Sequence, residues 1–193
     1  MSDSSFYAIL SRMKYIKRWG LMHNTSSESL SEHVLDVAIL THALCLIGNG
    51  RLGKGYDAAA ALTSALYHDC GEILTGDLPT PVKYANSKIT DAYREIEAAS
   101  AQKLLSFLPD DLAESYAPSF ECADPEVKKL VKAADKLSAL IKCIEEEKFG
   151  NTEFKTAKAA TLTALKGLDS PEANIFLEEF IPAYSHTLDE LYE

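Results

Sequence analysis

No two of the cysteines at 45, 70, 122 and 143 stand at C-x-x-C spacing, and Cys45 and Cys143 fall inside apolar helical patterns. That pattern argues against a disulfide framework or a thiolate zinc site, so the four read as small buried hydrophobes. Basic residues are also scarce. Lys and Arg number 19 against 29 Asp and Glu, for a formal charge of −10. A broad nucleic-acid surface needs a basic face, so a polymer partner is excluded, while a small anionic ligand held by a local basic patch remains compatible. No uninterrupted apolar stretch approaches the roughly 20 residues needed to span a bilayer. The opening "MSDSSFYAIL" has no positive leader before an apolar core. The chain therefore reads as cytoplasmic, with no membrane partner. No alternating β-branched segment, internal repeat, low-complexity tract or linker interrupts it.

What is present is helical period. At 47% hydrophobic content over 193 residues the chain can bury a substantial core, and the economical reading is one all-α domain spanning 1–193. Phe6, Leu10, Met13 and Ile16 make one stripe. Val34, Val37, Leu40 or Thr41, and Leu44 make another, preceded by the cap-rich "NTSSESLSE". The Ala-rich "YDAAAALTSALYHDC" suits a tightly packed central helix closing at Gly71. Further helices are predicted over Ser87–Leu108, Pro125–Lys148, Thr152–Leu168 and Pro171–Tyr192. Trp19–Leu30, Gly48–Tyr56 and Thr75–Ala85 are left irregular.

Several polar groups stand where a helix resists burying them. His33 lies in the first turn of an apolar helix, His68 and Asp69 are adjacent at the end of another, and Asp135 sits within "KLVKAADKLSALIKCIEE". Adjacent side chains diverge by about 100° on a helix, so His68 and Asp69 can share one ion only from a helix end or beside a cavity. Each residue alone has a plain reading: His33 as a hydrogen-bonded core or capping histidine, Asp135 as the partner of Lys132 or Lys136, His-Asp as a chance dipeptide. Their order and apolar setting instead suggest two imidazoles and two carboxylates around one divalent transition ion, with open positions for water and substrate.

These residues resemble the H…HD…D signature of the HD-domain metal-dependent phosphohydrolases, which are all-helical. "RWGLM" (18–22), "SEH" (31–33), "YHD" (67–69), "GE" (71–72) and "LTGDLPTPVKY" (74–84) narrow the likeness to the YfbR-type bacterial 5'-deoxynucleotidases, over nearly the whole chain. The resemblance implies an HD-domain helical bundle that hydrolyses deoxyribonucleoside 5'-monophosphates to deoxyribonucleosides and phosphate. It also implies a homodimer. The alternatives are an HD hydrolase of dNTPs, cyclic nucleotides or guanosine tetraphosphate, and a non-catalytic helical module stabilised by metal.

Glu72 follows the His-Asp pair at helical spacing and is the candidate acid/base, against a plain reading as a surface glutamate near a helix end. Arg18, where the first helix gives way to loop, can grip phosphate through two hydrogen bonds. The resemblance places Trp19 against the position of a ribose 2'-hydroxyl and Asp77 on the sugar 3'-hydroxyl. Their plain readings are core tryptophan and turn residue beside Gly76. His42, nine residues after His33, lies on roughly the opposite helix face, and His23 and His186 lack carboxylate-rich surroundings, so one ion per site is expected. The mixed nitrogen and oxygen set favours cobalt, manganese, zinc or iron over magnesium.

Overall fold

The computed structural model describes residues 3–83 and 85–192. Tyr84, the last residue of the "LTGDLPTPVKY" stretch, lies outside the described residues. Among those described there is no strand; an isolated antiparallel bridge pairs Lys17 with Ser29. Helix α1 (Phe6–Leu10) tightens directly into a 3₁₀ turn over Ser11–Tyr15, so the first stripe is two short pieces rather than one helix.

Helix α2 (Leu30–Arg51) is the spine of the molecule. Its start is fixed by a capping box in which the Ser29 side chain accepts from the Glu32 N–H and Glu32 reaches back to the Ser29 backbone. Its end lies beyond the sequence expectation, because Gly48 does not break it. A Cβ at Gly48 would stand 2.4 Å from Tyr56 Cε2, so the glycine is there to let the returning chain pack against the helix. Among the described residues α2 is the helix long and apolar enough, by length and composition, to cross a membrane. Its apolarity has a structural use. Val37, Ala38, Leu44 and Cys45 are almost wholly enclosed by the neighbouring helices.

Helix α3 (Ala58–Tyr67), capped by Asp57, packs its alanines on α2; the short α4 (Glu72–Thr75) follows Gly71, and α5 (Thr80–Lys83) occupies part of the Thr75–Ala85 segment left irregular from sequence. Helix α6 (Ser87–Leu105), capped by Asn86, stops three residues short of the expected Leu108. A further helix, α7 (Asp110–Phe120), was not anticipated. Pro109 precedes it and Pro118 lies inside it, and both obscured its amphipathic pattern.

Helix α8 (Pro125–Lys148) matches the expected bounds, with Asp124 as cap and Pro125 in the first turn. A 3₁₀ turn over Thr152–Phe154 leads into α9 (Lys155–Gly167). Helix α10 (Pro171–Glu179) ends well before Tyr192, and Pro182, which cannot continue an α-helical ladder, lies in the following 3₁₀ turn Ile181–Ser185.

The main core joins α2, α3, α8, α9 and α10, with Leu44, Leu130, Leu137, Leu140 and Leu165 buried. A second cluster gathers Phe6, Met13, Leu30, Val34, Cys70 and Leu104. The first turn of α2, the end of α3 and the middle of α8 meet between these clusters.

Candidate active site

Three helices bring polar residues to that junction. His33, wholly buried, comes from the first turn of α2. Helix α3 stops at Tyr67, and a turn carries His68 and Asp69 past its end. That ending lets adjacent residues face one point, as the sequence required. Asp135 comes from the middle of α8.

Ligand-capable atoms of His33, His68 and Asp135 all lie within 4.8 Å of one another. Asp69 Oδ2 stands 3.6 Å from His33 Nε2 and 3.1 Å from His68 Nε2, and Asp135 Oδ1 stands 3.3 Å from His33 Nε2. The structure thus brings together all four residues expected as ligands. Their outer atoms are held from behind. His33 Nδ1 is 3.1 Å from Ser138 Oγ, and His68 Nδ1 is 2.7 Å from the Ala65 carbonyl. If each Nδ1 carries the proton, each Nε2 presents a lone pair to the centre. Both Nε2 atoms are buried and lack a well-aligned hydrogen bond among the described residues. Two orphaned imidazole nitrogens facing two carboxylates fit a divalent cation, which would satisfy all four groups together.

Electrostatics follow from the crowding. With no ion between these groups, burial opposes charge on His68, but Asp69 and then Asp135 outweigh it and push its pKa up to about 9, so a cation must displace the Nε2 proton to bind there. Burial would raise Asp69, yet His68 and His33 hold it well below the usual carboxylate range. Asp135 is likewise lowered against burial by His33 and by Lys136, whose ammonium is 2.8 Å from Oδ2. The ion pair with a neighbouring lysine that was the plain reading of Asp135 therefore exists, with Lys136, alongside its place in the cluster.

The surrounding residues divide into two groups. On one side, Arg18 lies in a bend just after the Lys17–Ser29 bridge, its backbone N–H donating to the Glu28 carbonyl at 3.0 Å. The Arg18 guanidinium is 3.8 Å from Asp69 and 3.7 Å from Glu28. Trp19 has a left-handed backbone, φ 59°; its ring packs on Phe154 with centroids 5.2 Å apart, and its indole N–H donates to Glu28 at 2.6 Å.

On the other side, Glu72 is buried at the start of α4, so its plain reading as a surface glutamate does not hold. Burial, with Asp69 and Asp77 adding to it, pushes its pKa up to about 9, and its Oε2 has no hydrogen-bond partner among the described residues. Lys83 lies 4.0 Å from Glu72 and 2.7 Å from Glu97. Asp77 is partly buried, close enough for its charge to act on both Glu72 and Arg18.

A cavity of about 730 Å³ opens on the cluster. His68, Asp69, Glu72 and Asp135 line it at the cluster, and Tyr67, Phe120, Lys83, Lys128, Lys132 and Lys136 line its walls. Arg18, Trp19 and Asp77 stand outside this lining. Sequence reasoning missed Glu28 and Ser138. Glu28 was hidden in the cap-rich "NTSSESLSE", whereas Ser138, one helical turn after Asp135, could have been found by spacing alone.

An all-helical bundle with this His, His-Asp and Asp arrangement is an HD-domain phosphohydrolase. Within that class, the chain belongs to the 5'-deoxynucleotidase YfbR-like family, whose model matches residues 5–184. It is 45% identical over 190 residues to a 5'-deoxynucleotidase of Shewanella oneidensis, covering 97% of each chain. An HD-domain phosphohydrolase from Listeria innocua superposes with a TM-score of 0.80 at 23% identity, over 93% of this chain and 88% of that one. The cyanophage S-2L HD phosphohydrolase DatZ, solved with dA and one catalytic zinc ion, superposes with a TM-score of 0.67 at 22% identity, over 94% of this chain and 98% of that one. At those identities the structural likenesses speak for the fold.

Proposed function

We infer that the chain, as a single HD-type domain over 1–193, hydrolyses deoxyribonucleoside 5'-monophosphates with one divalent ion per site, drawn from cobalt, manganese, zinc or iron. The observation that carries this reading is the meeting of His33, His68, Asp69 and Asp135, with both Nε2 atoms unpartnered, beside a buried Glu72. An ion held by these four residues would supply Lewis acidity toward the phosphate and would acidify water. Arg18, already drawn toward Asp69, orients the phosphate and offsets its charge.

Glu72 handles the proton. Its environment favours the acid form, so it has a proton to hold or deliver beside the reacting group. Trp19 and Asp77 hold the sugar, Trp19 excluding a 2'-hydroxyl and Asp77 accepting from the 3'-hydroxyl. The Glu28 bond and the Phe154 contact fix the indole, and a fixed ring can reject an added oxygen. The working form is a cytoplasmic homodimer.

One observation favours a second reading, a nucleotide with a longer phosphate chain. Lys128, Lys132 and Lys136 line the cavity along with Lys83, so more cations than a single phosphate needs surround it. Glu97 and Glu121 line it too and offset part of that charge.

The test is phosphate release by metal-loaded protein from ribo and deoxy mono-, di- and triphosphates, with dAMP and AMP compared in wild type, Trp19→Ala and Arg18→Ala. Monophosphate hydrolysis with a preference for dAMP is expected. Trp19→Ala should narrow that preference by roughly tenfold or more, and Arg18→Ala should weaken both substrates alike. Faster turnover of triphosphates would replace the first reading by the second.

A further inference from the structure

A polar stripe runs along one face of α8. Asp135, Ser138, Lys142 and Glu146 follow at intervals of three, four and four, which return to nearly the same side of a helix. Asp135 and Ser138 serve the ring of His33. Lys142 and Glu146, both buried, lie two and three turns further on, outside the metal-ligand cluster. They bond to each other, and their other partners lie in the irregular segment between Trp19 and Ser29 and at Asn151.

Glu146 Oε2 accepts from the Thr25 N–H at 2.9 Å, the Thr25 hydroxyl at 2.7 Å and Asn151 Nδ2 at 2.8 Å, while Oε1 accepts from the Ser26 N–H at 3.2 Å and from Lys142. The Lys142 ammonium also donates to the Ser26 carbonyl, and Asn151 to the His23 carbonyl. Lys142 Nζ lies 5.8 Å from the centre of the Phe154 ring, against which Trp19 packs.

A buried ion pair is a poor source of stability compared with apolar residues of the same volume, but its directional bonds specify one docking geometry. The segment needs such a hold. It begins at Trp19 in a left-handed backbone conformation, which is strained for an aromatic residue, and has no regular structure of its own. It also carries Glu28, the partner of both Trp19 and Arg18.

We propose that the buried Lys142–Glu146 pair is a substrate-positioning latch: it ties the 19–29 segment to the helix that carries Asp135 and Ser138, and so sets where Arg18 and Trp19 stand relative to the metal-ligand cluster. The inference rests on the reading of Arg18 and Trp19 as nucleotide-contacting residues. One helix then registers the ion and the substrate clamp on a single rigid element.

Trp19 is the only tryptophan, so intrinsic fluorescence reports the segment directly. The experiment compares manganese-loaded full-length wild type, Glu146→Gln, Lys142→Met, Thr25→Val and Arg18→Ala. In the latch variants, acrylamide quenching of Trp19 should rise and its emission shift to the red, with wild-type metal content and helical circular dichroism. KM for dAMP should rise roughly tenfold, about the loss of one charge-assisted hydrogen bond, with a smaller fall in kcat. A purely structural pair would lower the melting temperature without that split.

A folded Glu146→Gln with wild-type quenching and KM overturns the proposal. If the helix variants do not fold, Thr25→Val decides it: the same changes at smaller size support the latch, and wild-type behaviour overturns it. Arg18→Ala separates the two readings. A wild-type KM there removes the nucleotide-contact reading, and Trp19 quenching in the latch variants then decides the latch alone.

Discussion

Replacing Ser138 by alanine should weaken metal binding far more than it weakens the fold. Ser138 Oγ is 3.1 Å from His33 Nδ1, and neither side chain has meaningful access to water that could replace the lost bond. For Nε2 to offer a lone pair to a cation, Nδ1 must carry the proton and needs an acceptor. Glu28 Oε1, at 3.7 Å, is too far to take over without movement. The metal-free protein has an escape. Its His33 ring can shift the proton to Nε2, which faces Asp135 at 3.3 Å and Asp69 at 3.6 Å. The loaded protein has no such escape, so the cost of an unpaired buried donor, about 1–3 kcal/mol, falls on the bound state. That corresponds to roughly 5-fold to 150-fold in the metal dissociation constant, and second-sphere losses of about 10- to 100-fold lie inside the same range. Competition titration with a chromophoric chelator measures the affinity, and thermal melting of the metal-free protein measures the fold. A dissociation constant within about twofold of wild type would show that Ser138 does not orient His33, and a metal-free melting temperature that falls as steeply as affinity would place the defect in packing.

Glu72→Gln should keep metal content and dAMP binding while kcat falls by roughly 100-fold or more, because the amide has no proton to exchange; single-turnover kinetics with elemental analysis checks this, and wild-type kcat would remove Glu72 from the chemistry. Gly48→Ala should destabilise by about 1–3 kcal/mol, since its Cβ would meet Tyr56 Cε2 at 2.4 Å and that ring is tied by its hydroxyl to Glu172 at 2.9 Å; an unchanged denaturation midpoint would show the ring free to move. Burial would raise the Glu146 carboxyl from its ordinary 4.5, but Lys142 and the Thr25 donors hold it far below. A depressed folded-state pKa gives stability that is complete above the unfolded value and lost as pH falls toward the folded one. The gap in melting temperature between wild type and Glu146→Gln should therefore be full at pH 7 and shrink below about pH 4.5; a gap that does not change with pH contradicts this.

The helical period and its caps were legible in the sequence. Ser29, Asp124 with Pro125, and Ser170 with Pro171 mark starts that local hydrogen bonding imposes wherever the helix later packs. The four polar residues in apolar settings were legible too, because burying His33 or Asp135 has a desolvation cost that only a partner can offset. Other features belong to the tertiary structure. Helix α2 continues through Gly48 because Tyr56 returns to cover it, a contact between distant faces that no local propensity records. Helix α7 holds despite Pro118, with Tyr116 and Phe120 packed on Phe6 and Tyr67. Glu28, Ser138, Lys142 and Glu146 look from sequence like a cap residue, a helix interior and a solvated charge pair. Only the approach of the 19–29 segment to α8 buries the Lys142–Glu146 pair against Thr25 and Ser26, because the energy of a buried charge depends on what surrounds it in space and not on its neighbours along the chain.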